Sequence, residues 1–126
     1  MRIAVLDDYI GVSRTLADWS RLAGRAETTV FREPFASEDA AAESLADFEI
    51  VVGMRERTPF PASLLHRLPK LKLLVTTGQR NLSFDIGAAK ARGVTVCCTG
   101  STGNATAELA VGLIIDRTRT RWGTFR

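Results

Sequence analysis

Gly93-Val94-Thr95-Val96-Cys97-Cys98-Thr99-Gly100-Ser101-Thr102-Gly103-Asn104-Ala105-Thr106-Ala107-Glu108-Leu109 is the stretch that decides the fold. Val94 to Cys97 reads as a short buried strand, Thr99 to Asn104 as a loop of small residues, and Ala105 onward as the first turns of an apolar helix. A parallel α/β sheet carries its ligand at the carboxyl ends of its strands, so a Gly/Ser/Thr loop between strand and helix marks where chemistry is to be sought. From Ala105 to Ile115 the helix is apolar on more than one stripe, which the outer edge of a small domain does not require. The pattern predicts that this helix leads to a neighbour absent from the 126 residues.

Outward from that stretch the same alternation repeats. Arg2 to Asp7 and Glu27 to Phe31 read as strands, and between them Leu16, Trp19 and Leu22 fall at helical spacing over Ser13 to Leu22, with Ser13 as cap and Gly24 as stop. A helix from about Ser37 to Ala46, a strand from Glu49 to Gly53, a short helix near Pro61 to Leu68 and a strand from Leu71 to Thr76 follow. A helix from Asp85 to Arg92, closed by Gly93, precedes the last strand. Ile50-Val51-Val52 and Leu73-Leu74-Val75 are apolar on both faces, as expected where helices cover each side of a parallel sheet. Right-handed crossovers then leave few topologies. The expectation is a doubly wound, flavodoxin-like α/β fold with a five-stranded parallel sheet in the order 2-1-3-4-5. Residues 1–103 would form the domain, and residues 104–126 a helix leading away from it with a tail.

One domain is what this length allows. Hydrophobic residues at 45% and charged residues at 25% are ordinary for a globular protein, and no apolar run is long enough for a membrane span. No signal-peptide pattern precedes the first strand, so the expected compartment is the cytoplasm, with no membrane partner. The only two cysteines, Cys97 and Cys98, are adjacent on a strand and point to opposite faces, which excludes a disulfide framework. They are expected to pack rather than react. The net charge of +3 owes much to Arg117, Arg119, Arg121 and Arg126 in the last turns, without an aromatic ladder or a basic face, so no nucleic-acid partner is expected.

Candidate chemistry collects in loops at strand ends: Asp7-Asp8-Tyr9, Met54 to Phe60, Thr76 to Asn81, and Thr99 to Asn104. If they border one edge, they surround one cleft with backbone N–H groups, arginines and hydroxyls, a mixture suited to a carboxylate. Gly78-Gln79-Arg80 is either a cradle whose N–H groups converge on an anion or a plain turn. Gly100-Ser101-Thr102-Gly103 has neither the lysine of a phosphate loop nor GxGxxG spacing, and it reads equally as a connector with Ser101 or Thr102 capping the helix. Asp7-Asp8 has two readings, the Mg²⁺ pocket of a phosphoacceptor receiver module or acids that accept hydrogen bonds from a loop or helix start. A receiver would also want an aspartate after the third strand and a lysine after the fifth, where this chain has Gly53-Met54-Arg55 and Cys97-Cys98-Thr99. No metal site is expected. His66, the only histidine, sits between Leu65 and Arg67 without a carboxylate partner and reads as a surface residue.

Leu71-Lys72-Leu73-Leu74-Val75-Thr76-Thr77-Gly78, then Asp85 to Val96, then Ala105-Thr106-Ala107-Glu108-Leu109 resemble the amino-terminal part of the D-isomer-specific 2-hydroxyacid dehydrogenases, with phosphoglycerate dehydrogenase-like members nearest. The likeness runs from Met1 to about Ile115. It implies a flavodoxin-like substrate domain that is followed, in the family, by an inserted Rossmann domain, and an oxidoreductase acting on small 2-hydroxy or 2-keto acids with NAD or NADP. By the same resemblance, the backbone of Gly78, Gln79 and Arg80 holds the substrate carboxylate, Arg55 lies in the neighbouring substrate loop, and Thr106 approaches the nicotinamide. The chain departs from the family at Arg80 and Leu82, where many members have glycine and aspartate, which leaves substrate preference open. The family's catalytic arginine, glutamate and histidine lie beyond Arg126, so the resemblance implies no catalytic residue here, no cofactor held by this chain alone and no turnover by it. A free-standing flavodoxin-like module and an inactive remnant are the alternatives. The apolar final helix, with Leu109, Leu113 and Ile114, is a candidate for self-association.

Overall fold

The computed structural model describes residues 1–100 and 105–122, and within the final helix the side chains of 107–115. Ser101, Thr102 and the expected 103/104 boundary fall outside the described residues. The strands are β1 (Arg2–Val5), β2 (Glu27–Val30), β3 (Ile50–Gly53), β4 (Leu73–Thr76) and β5 (Thr95–Cys98). They form one parallel sheet in the order β2-β1-β3-β4-β5. The helices are α1 (Ser13–Leu16), α2 (Glu38–Leu45), α3 (Ala62–His66), α4 (Ile86–Ala91) and α5 (Ala105–Trp122), with a 3-10 turn at Trp19–Leu22.

Local chemistry sets these boundaries. The Ser37 hydroxyl accepts from the Ala40 N–H and opens α2, and the Asp85 carboxylate accepts from the Ala88 N–H and opens α4. Gly93, at φ +72, follows α4 and turns the chain into β5. The single helix expected over Ser13 to Leu22 is instead broken in two. Ala17 is extended, and the Asp18 carboxylate accepts from the Ser20 N–H at 3.1 Å, starting the 3-10 turn afresh. Leu16 is left exposed, so helical spacing here was not a buried stripe. Ser13 does not cap α1 either, because Asp8 takes that role from outside the helix.

The sheet is covered unequally. Ala4, Val51 and Leu74 stand in register on one face and are fully buried under α2, α3 and α4, with Leu45, Leu64, Leu65 and Leu68 supplying the facing side chains. Ile50, Val52, Leu73 and Val75 face the other way and are only half-buried. The expectation that helices cover both faces therefore holds fully on one side only. Cys97 and Cys98, expected to pack, are exposed instead: β5 is an edge strand, and both cysteines lie where no described helix covers them. At the amino ends of the strands, Arg2 and Lys70 pair with Asp47, and Lys72 pairs with Glu49. Among the described residues, no helix is long and apolar enough to cross a membrane.

Candidate functional site

The buried polar residues gather at the carboxyl edge of the sheet. Asp7 and Asp8 follow β1, Thr58 lies in the loop after β3, Thr76 ends β4, and Asn81 lies in the loop after it. Buried polar groups need hydrogen-bond partners, and these use theirs to fix loop backbone. Asn81 Nδ2 donates to the Arg55 carbonyl and, at 3.1 Å, to Thr76 Oγ1, while its Oδ1 accepts from the N–H and hydroxyl of Ser83. The Arg55 N–H donates to Thr77 Oγ1 at 3.3 Å, and the Gly78 N–H to Thr99 Oγ1 at 2.8 Å. As far as the described residues reach, the four loops share one edge.

Arg55 and Gly78 meet there. Gly78 adopts φ +120, open to glycine and strained for other residues, and a Cβ at this position would lie 3.6 Å from Arg55 Nη1. Arg55 itself has φ +51, and its guanidinium is exposed without an acidic partner among the described residues. Gln79 and Arg80 are exposed on the same loop, and among the described residues their N–H groups donate no hydrogen bond. The Gly78 N–H is already engaged by Thr99, so of the expected cradle, the amides of Gln79 and Arg80 are those left to meet a ligand. A cavity of about 260 Å³ adjoins the loop, lined by Thr76, Arg80, Asn81, Leu82, Phe84 and Val96 among others. Thr106 lies in α5, but its side chain is outside the described residues.

The two aspartates after β1 serve different ends. Asp8 accepts from the N–H groups of Gly11, Val12 and Ser13 at 3.0–3.1 Å, so it caps α1. The neighbouring Ser13 hydroxyl and these N–H groups hold its carboxyl below the ordinary carboxylate value, against the opposing effect of burial. Asp7 accepts from Thr58 Oγ1 at 2.8 Å and from the Tyr9 hydroxyl at 3.2 Å, and burial and the Asp7 charge push the Tyr9 phenol up. These are the bonds expected of acids that serve a loop and a helix start. Among the described residues no group of acids, cysteines and histidine is arranged to hold a metal ion. Nor does the turn after β1 suit a dinucleotide. The first strand-to-helix turn, where a pyrophosphate would rest on N–H groups, carries two buried carboxylates, and Asp8 occupies those N–H groups. His66 is exposed on α3, its ring nitrogen against the Ala62 carbonyl at 2.5 Å, and does not join the edge.

The sequence singled out Arg55, Gly78, Gln79 and Arg80 through the family resemblance and named Thr77, Asn81 and Thr99 only as members of candidate loops, without the hydrogen bonds by which they hold the backbone of Arg55 and Gly78. The available signal was small polar residues immediately flanking the glycine turn and ending β5.

The chain matches the family of D-isomer specific 2-hydroxyacid dehydrogenases, catalytic domain, over residues 6–124. It is 37% identical to a phosphoglycerate oxidoreductase from Vibrio cholerae O395, with a TM-score of 0.81, covering 91% of this chain and 36% of that one. To a protein from Ralstonia solanacearum assigned as a D-3-phosphoglycerate dehydrogenase it is 36% identical, with a TM-score of 0.79, covering 90% of this chain and 34% of that one. D-lactate dehydrogenase from Escherichia coli shares the fold at 19% identity and a TM-score of 0.74, over 100% of this chain and 41% of that one. The chain thus spans about a third of the length of the first two structures. No curated protein matches it significantly.

Proposed function

The chain belongs to the D-isomer-specific 2-hydroxyacid dehydrogenase family, as its catalytic domain, and from that premise we propose that it is the substrate-holding lobe of an oxidoreductase acting on the CH–OH group of small D-2-hydroxy acids. The observation that carries this reading is the Arg55 guanidinium, set against Gly78 at the carboxyl edge and without an acidic partner among the described residues. Cationic groups at the amino edge are matched by Asp47 and Glu49, whereas Arg55 and Arg80 have no carboxylate partner among the described residues. An incoming carboxylate would take charge-assisted hydrogen bonds from Arg55 and further ones from the N–H groups of Gln79 and Arg80. Such anchoring would orient the acid at the edge.

A nicotinamide cofactor, NAD or NADP, would supply the hydride acceptor, and the turn after β1 does not fit its pyrophosphate, which would be held elsewhere. His66, the chain's one histidine, is outside the edge and so is not placed to act as a general base there. The test is a titration of the isotope-labelled chain with D-lactate, followed by NMR. Saturable shifts at Gly78, Gln79 and Arg80 are expected, with affinity about tenfold weaker in Arg55→Gln, the effect of losing a hydrogen bond to a charged group. Shifts confined to other regions, or an affinity unchanged by Arg55→Gln, would refute the reading. With pyruvate and NADH the 126-residue chain is expected to leave NADH unconsumed.

A further inference from the structure

We propose that Asp7 is the positioning residue for Arg55: it ties the Met54–Phe60 loop to the end of β1 and so holds Arg55 in a backbone conformation that the loop alone would not keep. The proposal rests on the carboxylate-holding role given to Arg55 above. Asp7 is only 2% exposed and adopts φ +58, and Arg55 adopts φ +51; they are the non-glycine residues with positive φ among the described residues. A non-glycine residue in this region is strained and persists only where its surroundings over-determine it. Here the surroundings are a closed set of contacts. Thr58 Oγ1 donates to one Asp7 carboxylate oxygen at 2.8 Å and the Tyr9 hydroxyl to the other at 3.2 Å. Arg57 Nη1 donates to the Asp7 carbonyl at 3.0 Å, and the Arg57 guanidinium lies 4.5 Å over the Tyr9 ring.

Two loop residues, Arg57 and Thr58, therefore hang on one residue of β1's end, while the Arg55 N–H and carbonyl are held from the other side by Thr77 and Asn81. The strained link at Arg55 lies between these two anchors. Both oxygens of the Asp7 carboxylate accept from hydroxyl groups, and in an asparagine one of these bonds would have to reverse, with Nδ2 donating to a hydroxyl oxygen, while the charge that strengthens both bonds would be lost. Asp8 offers an internal contrast, since its carboxylate bonds return to the start of α1 and touch nothing in the Arg55 loop.

Amide hydrogen exchange and D-lactate titration of Asp7→Asn, Thr58→Val and Asp8→Asn, each also built on Arg55→Gln, test the assignment. In Asp7→Asn, exchange at the hydrogen-bonded amides of Arg55 and Arg57 is expected to accelerate about tenfold while β3 and β4 amides stay unchanged, and D-lactate affinity to fall about tenfold. Asp7→Asn should add nothing once Arg55 is glutamine, and Asp8→Asn should leave loop exchange and affinity as they were. Thr58→Val removes one donor only, and it decides the matter if Asp7→Asn fails to fold. Unchanged loop exchange in both Asp7→Asn and Thr58→Val, or affinity losses that multiply with that of Arg55→Gln, would overturn the proposal. If the wild-type chain does not bind D-lactate, the role of Arg55 fails by itself, and loop exchange still decides whether Asp7 holds the loop.

Discussion

Gly78 joins conformational need and function in one residue. Its φ of +120 excludes side chains without strain, and a Cβ would stand 3.6 Å from the Arg55 guanidinium. Gly78→Ala is therefore expected to destabilise the fold by about 1–3 kcal/mol and to shift Arg55, read as a lowered melting temperature together with weaker D-lactate binding. Asp8 acts on stability through charge. Its carboxyl is held below the ordinary value of 3.8 by the Ser13 hydroxyl and the N–H groups at the start of α1, so the folded state favours the ionised form. That contribution is present above about pH 4 and is lost as the pH falls through the folded-state value. Melting temperatures measured from pH 7 down to 2 should show wild type above Asp8→Asn at neutral pH, with the gap closing below about pH 4. Glycine and acid positions of this kind were visible in the sequence as residue types. Acids serving a loop or a helix start were among the expected readings, but which acid does which was not, because the partner that sets Asp7 apart is Thr58, 51 positions away.

Among the elements, β3 and β4 were plain from their apolar runs, and α2 and α4 from their caps, since each signal lies within a few residues. The expected Ser13–Leu22 helix failed for an equally local reason that spacing does not register: Asp18 hydrogen-bonds Ser20 and restarts the chain. Cys97 and Cys98 looked like core residues because their strand is apolar, but an edge position decides burial, and that follows from strand order. Packing between elements also explains the glycine that ends β3. A Cβ on Gly53 would meet the Phe84 ring at 3.0 Å, and Phe84 stacks edge-on against Phe60 at 5.2 Å, joining the loops after β3 and β4. Gly53→Ala should overpack this joint and lower stability by about 1–3 kcal/mol in chemical denaturation, with the loss reduced in Gly53→Ala/Phe84→Leu.

At the scale of the whole molecule, α5 presents Leu109, Leu113 and Ile114 to solvent, each more than half exposed. We propose that the isolated chain associates through them; light scattering should show mass rising with concentration, and Leu113→Lys should suppress the rise. The alternation of strand and helix, the 2-1-3-4-5 order and the place of Arg55 and Gly78 in strand-end loops were all contained in the sequence. Hydrophobic period, capping residues and right-handed crossovers act over short distances or by general rule. Tertiary structure alone decided that Arg55 lies against Gly78, that Thr99 engages the Gly78 N–H while the amides after it stay open, and that one face of the sheet is buried more deeply than the other. These outcomes arise between segments that only the folded sheet brings side by side, and the directional bonds that fix them exist only once the strands are in register.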